Sequence, residues 1–214
     1  MGGQVGGGAA GRRGPQAREA LRRETALRVE ERRGQWAPPL RKPECALYDR
    51  GMDFDDTAGR LWKRLSREER LAAATRFFEQ PSQEILGSAL GAIIKARHLR
   101  PQVARSMPPE EQARALGSVL DPGEQVAAAL LVALHLGERR AMLRTFLDAL
   151  GLPHEDGILK EEADAVVLDQ ARLGTGLTAL GARFGAQEIR TYLNTLWLQD
   201  PDRWDALRAL PEPA

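Results

Sequence analysis

Residues 121–137 read DPGEQVAAALLVALHLG, and this stretch decides the fold. Asp121, Pro122 and Glu124 supply a helix start: an acceptor at the cap, a proline whose missing N–H is not needed in the first turn, and an acid near the positive end of the dipole. From 126 to 136 every residue except His135 is apolar, and Gly137 closes the run. A helix that is apolar all round is surrounded by protein in a water-soluble chain. The run is well short of the roughly 20 residues that cross a bilayer. It is therefore expected to be the central helix of an all-α bundle. Leu130 and Leu134 should lie in its core, with His135 as a hydrogen-bonded core or edge residue.

Helical signals continue on both sides. Phe54, Ala58, Leu61, Trp62 and Leu65 recur at spacings of three and four, which predicts a helix over 53–65. Ser66 with Glu69 forms a capping box that opens a second helix to 78, with Leu71, Ala74, Phe77 and Phe78 inward. Pro81 and Ser82 precede a third, carrying Ile85, Leu86, Ala89, Leu90, Ile93 and Ile94. Glycine weakens helices, so Gly87 and Gly91 are expected to admit another helix at close range. Pro101 interrupts the chain after Arg100, beside which His98 suits a helix C-terminus as a cation. Pro108 and Pro109 then start a helix over 109–120.

Beyond Gly137, a helix over 138–150 turns Met142, Leu143, Phe146, Leu147 and Leu150 inward and stops at Gly151 and Pro153. His154 to Gly157 form a polar turn. The segment 158–169 is ambiguous, and Val166-Val167-Leu168 fits a short extended piece. Helices over 173–184 and 187–198 follow, and Asp200-Pro201-Asp202 caps a short last one bearing Trp204 and Leu207. Short connections predict an antiparallel multi-helix bundle of seven to nine helices, loosely solenoid-like but without a fixed repeat.

Composition agrees. Among 214 residues, 43% are hydrophobic, 29% charged and only 5% aromatic, with few β-branched residues, which argues against an all-β fold. The net charge of +1 excludes a nucleic-acid binder that is basic throughout. One cysteine, Cys45, excludes an internal disulfide framework and any multi-cysteine metal site. A cytoplasmic location and a bacterial source of high GC content fit this composition, in which only four of 31 basic residues are lysine.

The charge is unevenly placed. Residues 1–51 hold 11 basic residues against 6 acids and 9 of the 21 glycines; the remainder holds 20 basic against 24 acidic groups. A head so poor in large apolar residues is expected to be flexible, apart from one exposed helix over 15–33 with a thin stripe of Leu21, Leu27 and Val29. It fits three roles: a basic arm for nucleic acid or an acidic partner, a solvated tail, or sequence upstream of a true start at Met52. The helical domain is expected over 52–214.

Few motifs survive inspection. No glycine precedes a lysine, so there is no P-loop. Gly174-Thr175-Gly176-Leu177-Thr178-Ala179 matches the letters of a dinucleotide fingerprint without the preceding strand it requires. Gly87-Ser88-Ala89-Leu90-Gly91 misplaces the serine of a nucleophile elbow, and Leu152 and Ala163 fail the end positions of a calcium loop around Gly157. Residues 180–193 have the outline of a helix-turn-helix, but their second helix offers only Arg190 against Glu188.

His154-Glu155-Asp156 is the one compact acid–base group, expected to shape an exposed turn rather than to ligate a metal or move a proton. No metal, cofactor or catalytic residue is therefore assigned. The leading expectation is a non-enzymatic interaction module or assembly subunit with a protein partner and no membrane span. The alternatives are an enzyme centred on His154, Glu155 and Asp156, or nucleic-acid binding through the arginine-rich head.

Overall fold

The computed structural model describes Phe54 and residues 56–210, all within one unit of the chain. The head over 1–51, its expected helix and the alternative start at Met52 lie outside these residues. The described part is all-α, with ten α-helices: α1 (Ala58–Arg64), α2 (Arg67–Glu79), α3 (Gln83–Arg97), α4 (Pro101–Ser106), α5 (Pro109–Gly117), α6 (Glu124–Leu136), α7 (Arg140–Leu150), α8 (Gln170–Gly181), α9 (Ala186–Gln199) and α10 (Pro201–Trp204). Short 3-10 helices cover Glu161–Ala165 and Asp205–Ala209. The helix beyond the expected seven to nine is α4. Pro101 does not merely interrupt the chain; it takes the first helical position, where its fixed φ suits the helix and its missing N–H goes unused.

Caps set the boundaries. Ser66 and Glu69 close both halves of the capping box on α2, at 3.1 and 2.8 Å. The Asp169 side chain accepts from the Arg172 N–H at 2.8 Å, starting α8 three residues before the expected point. The start of α6 also differs from expectation. Its cap is Gly123 at a φ of 93°, and Pro122 lies outside the helix. The Glu124 carboxylate reaches across to accept from the Gly59 N–H at 3.0 Å, satisfying an orphan donor in the first turn of α1.

Two apolar clusters form the interior. The first joins α1, α2, α3, α5 and α6 around Trp62, Phe77, Ile93, Leu116, Leu130 and Leu134. The Trp62 indole N–H donates to the Val119 carbonyl at 2.8 Å, so this large side chain is buried without an orphan donor. Packing here is not limited to chain neighbours, because α2 lies against both α5 and α6. A Cβ on Gly117 would stand 3.1 Å from the Leu71 Cα, so glycine sets the close approach of α5 to α2. Leu71 itself, expected inward, is 40% exposed; the buried face of α2 is Ala73, Ala74, Phe77 and Phe78.

The second cluster joins α7, α8, α9 and the C-terminal turns around Met142, Phe146, Leu173, Leu180, Tyr192 and Trp204, with Phe54 added to it. One glycine of the failed dinucleotide fingerprint, Gly176, finds its explanation here, whereas a Cβ on Gly174 would meet nothing within 4 Å. A Cβ on Gly176 would come within 2.6 Å of the Phe146 ring. Gly87 and Gly91 differ from expectation. Both are exposed on α3, and a Cβ on either would meet nothing within 4 Å.

Candidate functional site

The residues singled out in the sequence occupy a β-hairpin tip rather than a simple turn. Strands His154–Glu155 and Ile158–Leu159 pair antiparallel, leaving Asp156 and Gly157 as a two-residue loop. Both loop residues have positive φ, 50° and 89°, as a type I′ turn requires. The Asp-Gly pair was the sequence signal for this hairpin. The structure gives each of the three side chains its own partner. The His154 ring accepts at Nδ1 from the Gly157 N–H at 3.2 Å and meets Asp148 at 3.0 Å through Nε2. Nδ1 as acceptor leaves the proton on Nε2, so His154 donates to a carboxylate on the last turn of α7. Its side chain is only 12% exposed, less than a free turn would give, but Asp148 is 73% exposed and the pair lies at the surface. Asp156 takes Arg140 and Arg144, and Glu155 lies 4.0 Å from Lys160. The His154 and Asp156 contacts fasten the hairpin to α7, while the Glu155 contact stays within the hairpin segment.

A second polar group lies between the two apolar clusters, and sequence spacing did not show it. Arg139, just before α7, has a side chain only 9% exposed; it pairs with Glu69 of α2 and lies 4.0 Å from Glu188 of α9. Each glutamate is also the third residue of its helix, accepting from the Ser66 or Gly185 N–H. Arg139 thus joins two helix N-termini. Burial raises the Glu69 carboxyl, but Ser66 and the Arg139 guanidinium outweigh it and hold the group below its ordinary value.

One turn back on α6, His135 is buried, and neither ring nitrogen has a hydrogen-bond partner among the described residues, contrary to the expected hydrogen-bonded histidine. Its ring centroid is 5.2 Å from that of Tyr192. Burial, and secondarily the Arg139 charge, push its pKa down to about 3. Burial also pushes the Tyr192 phenol upward. Both rings therefore stay neutral at physiological pH.

The third feature follows from α6 itself. The helix is not covered on all sides, which corrects the sequence expectation. Val126, Ala127, Leu130, Leu131 and Leu134 are buried, but Ala128, Ala129, Val132 and Leu136 are only half-buried. Their apolar stripe forms one wall of a groove of about 440 Å³, closed on the other side by Phe77 and Ile85. Ala133, uncharged Gln80, Ser82, Gln125 and Gln199, and the cation Arg76 make up the rest of its lining. The sequence carried a signal in the length of the apolar run, which exceeds what one core face needs.

Among the described residues no group of three or more histidine, cysteine or acidic side chains is placed to hold a metal. No helix among them is long and apolar enough to cross a membrane. Compared with protein-family models, with curated proteins and with solved structures, the chain matches none.

Proposed function

We propose that this chain is a non-enzymatic protein-interaction module of the bacterial cytoplasm, and that it takes an amphipathic helix of a partner protein into the groove beside α6. The observation that carries this is the half-exposed stripe of Ala128, Ala129, Val132 and Leu136 on an otherwise buried helix. A monomer that leaves such a stripe uncovered is arranged to bury it on binding. A helix suits the groove better than an extended peptide. Ala128, Ala129 and Ala133 are small enough for close backbone approach, and no unpaired sheet edge lines the groove to hydrogen-bond a strand. The run from Gln125 to Leu136 rises about 16 Å at 1.5 Å per residue, three turns of helix, which matches anchors spaced i, i+3 or i+4, and i+7. The neutral glutamine and serine groups of the lining provide polar contacts without the cost of burying charge.

The test is a selection from displayed helical peptides, followed by affinity measurement on the whole chain. Selected peptides should share an apolar i, i+3/i+4, i+7 pattern and bind at least tenfold more weakly to Ala129→Glu. A carboxylate there would be buried unpaired in the complex. Unchanged melting of the variant shows that the fold is intact. Peptides that lack the pattern, or that bind the variant equally well, would refute the groove.

A further inference from the structure

The turn between α3 and α4 carries a charge pattern that the groove does not use. Between Glu84 and Glu110 the sequence has no acid, yet it holds Lys95, Arg97, Arg100 and Arg105. All four are exposed, and none meets a carboxylate among the described residues. Several arginines elsewhere are paired, as Arg64 is with Asp56, Arg76 with Glu79, Arg140 with Asp156 and Arg203 with Asp164.

The setting of these cations is fixed. His98 caps α3 in the left-handed region at a φ of 52°. Ala104 is buried, and its carbonyl accepts from the Gln112 side chain of α5 at 3.0 Å. Helix stability explains Lys95, Arg97 and Arg105, which sit in last turns where a cation suits the dipole. It does not explain Arg100, which occupies the cap position of α4 and makes no side-chain cap bond there.

We propose that this turn is a second binding surface, one that docks on the phosphate backbone of duplex nucleic acid without reading its sequence. Three of the four cations are arginines, whose planar forks fit phosphate oxygens two at a time. The patch contains no phenylalanine, tyrosine or tryptophan, and its one aromatic ring is the imidazole of His98, so it lacks the run of stacking rings of a single-strand binder. It also lacks the deep apolar face of a membrane-surface helix. Val103 is its most exposed large apolar residue, on a helix of only six residues. A protein interface would require an apolar centre, and the exposed positions here are mostly charged or polar. Residues 52–214 around it carry an excess of acid, which limits the contact they can make to this one turn and favours modest, salt-sensitive binding by it.

The test is fluorescence anisotropy of a labelled random-sequence 30-base-pair duplex with the full chain, titrated across salt concentrations. Each phosphate contact contributes about 0.9 to the slope of log affinity against log salt. Replacing Lys95, Arg97, Arg100 and Arg105 together by glutamine should lower that slope by about 3 to 4. The same replacement should weaken binding on the order of 100-fold at the lower salt. Because all four side chains are exposed, the variant should keep its fold and lose only the small stabilisation that each last-turn cation contributes. A matched variant with Arg60, Arg67, Arg172 and Arg183, all exposed, changed to glutamine should lose much less, which separates the patch from net charge. The proposal is overturned if the wild type fails to bind the duplex. It is equally overturned if the patch variant keeps its slope, or if the patch governs binding to phosphatidylserine vesicles and not to the duplex.

Discussion

His135 shows how one buried side chain makes stability depend on pH. Its folded pKa of about 3 lies below the ordinary histidine value of 6.5. Above pH 6.5 both the folded and the unfolded chain hold the ring neutral, and the group contributes no pH dependence. As the pH falls below 6.5 the unfolded chain takes up a proton that the folded chain refuses, so stability declines until about pH 3. The decline approaches 1.4 kcal/mol per pH unit, or about 2 kcal/mol between pH 8 and pH 5. Urea unfolding of wild type and His135→Phe should show the difference directly. The variant should lose about 2 kcal/mol less stability over that interval. Equal losses would mean that His135 is hydrated or protonated in the fold. The sequence placed this residue inside, because its neighbours are apolar on every side. It did not show that both nitrogens lack partners, since that depends on Tyr192 and Arg139 arriving from other elements.

At the scale of elements, local chemistry was readable and long-range contact was not. The capping box of Ser66 and Glu69, the glycine stop at Gly151 and the inward row from Met142 to Leu150 depend only on residues within a few positions of one another. Most of the misreadings concern what lies across space. Pro122 was expected to begin α6, but Glu124 is drawn to the first turn of α1 and the helix starts later. The hairpin at Asp156-Gly157 was legible and was read only as a turn. Gly87 and Gly91 were expected to seat a neighbouring helix, and they face open space. Glycine in an exposed helix interior costs about 0.5–1 kcal/mol relative to alanine, through chain entropy. Gly87→Ala and Gly91→Ala should therefore each raise stability by roughly that amount. Chemical denaturation checks this, and a loss of stability at either site would mean that the face is covered.

For the whole molecule, the two apolar clusters and the arginine between them matter most. Gly137 separates α6 of the first cluster from α7 of the second, and Arg139 ties Glu69 of one to Glu188 of the other. Arg139→Met keeps the bulk of the stem and removes the charge. Both glutamates are partly exposed and regain water, so the loss should be about 1–3 kcal/mol, below the cost of stranding a fully buried charge. Trp62 lies in the first cluster and Trp204 in the second, so labelled tryptophans report the two separately. Their unfolding transitions should coincide in the wild type, and both midpoints should fall in the variant. An unchanged midpoint would remove Arg139 from the account of how the halves are joined.

The candidate sites divide along the same lines. The hairpin residues His154, Glu155 and Asp156 were visible as a compact group and turn out to hold local structure. The groove was hidden, because whether Ala129 or Val132 is covered depends on where α2 and α9 stop and where α3 begins. The groove is the central claim, and hydrogen exchange tests it most directly. The full chain would be measured with and without a selected helical peptide at saturation. The groove account predicts that slowed exchange is concentrated in residues 76–85 and 125–136, with little change at 154–160. Protection centred on the hairpin at 154–160, or no protection along α6, would contradict it.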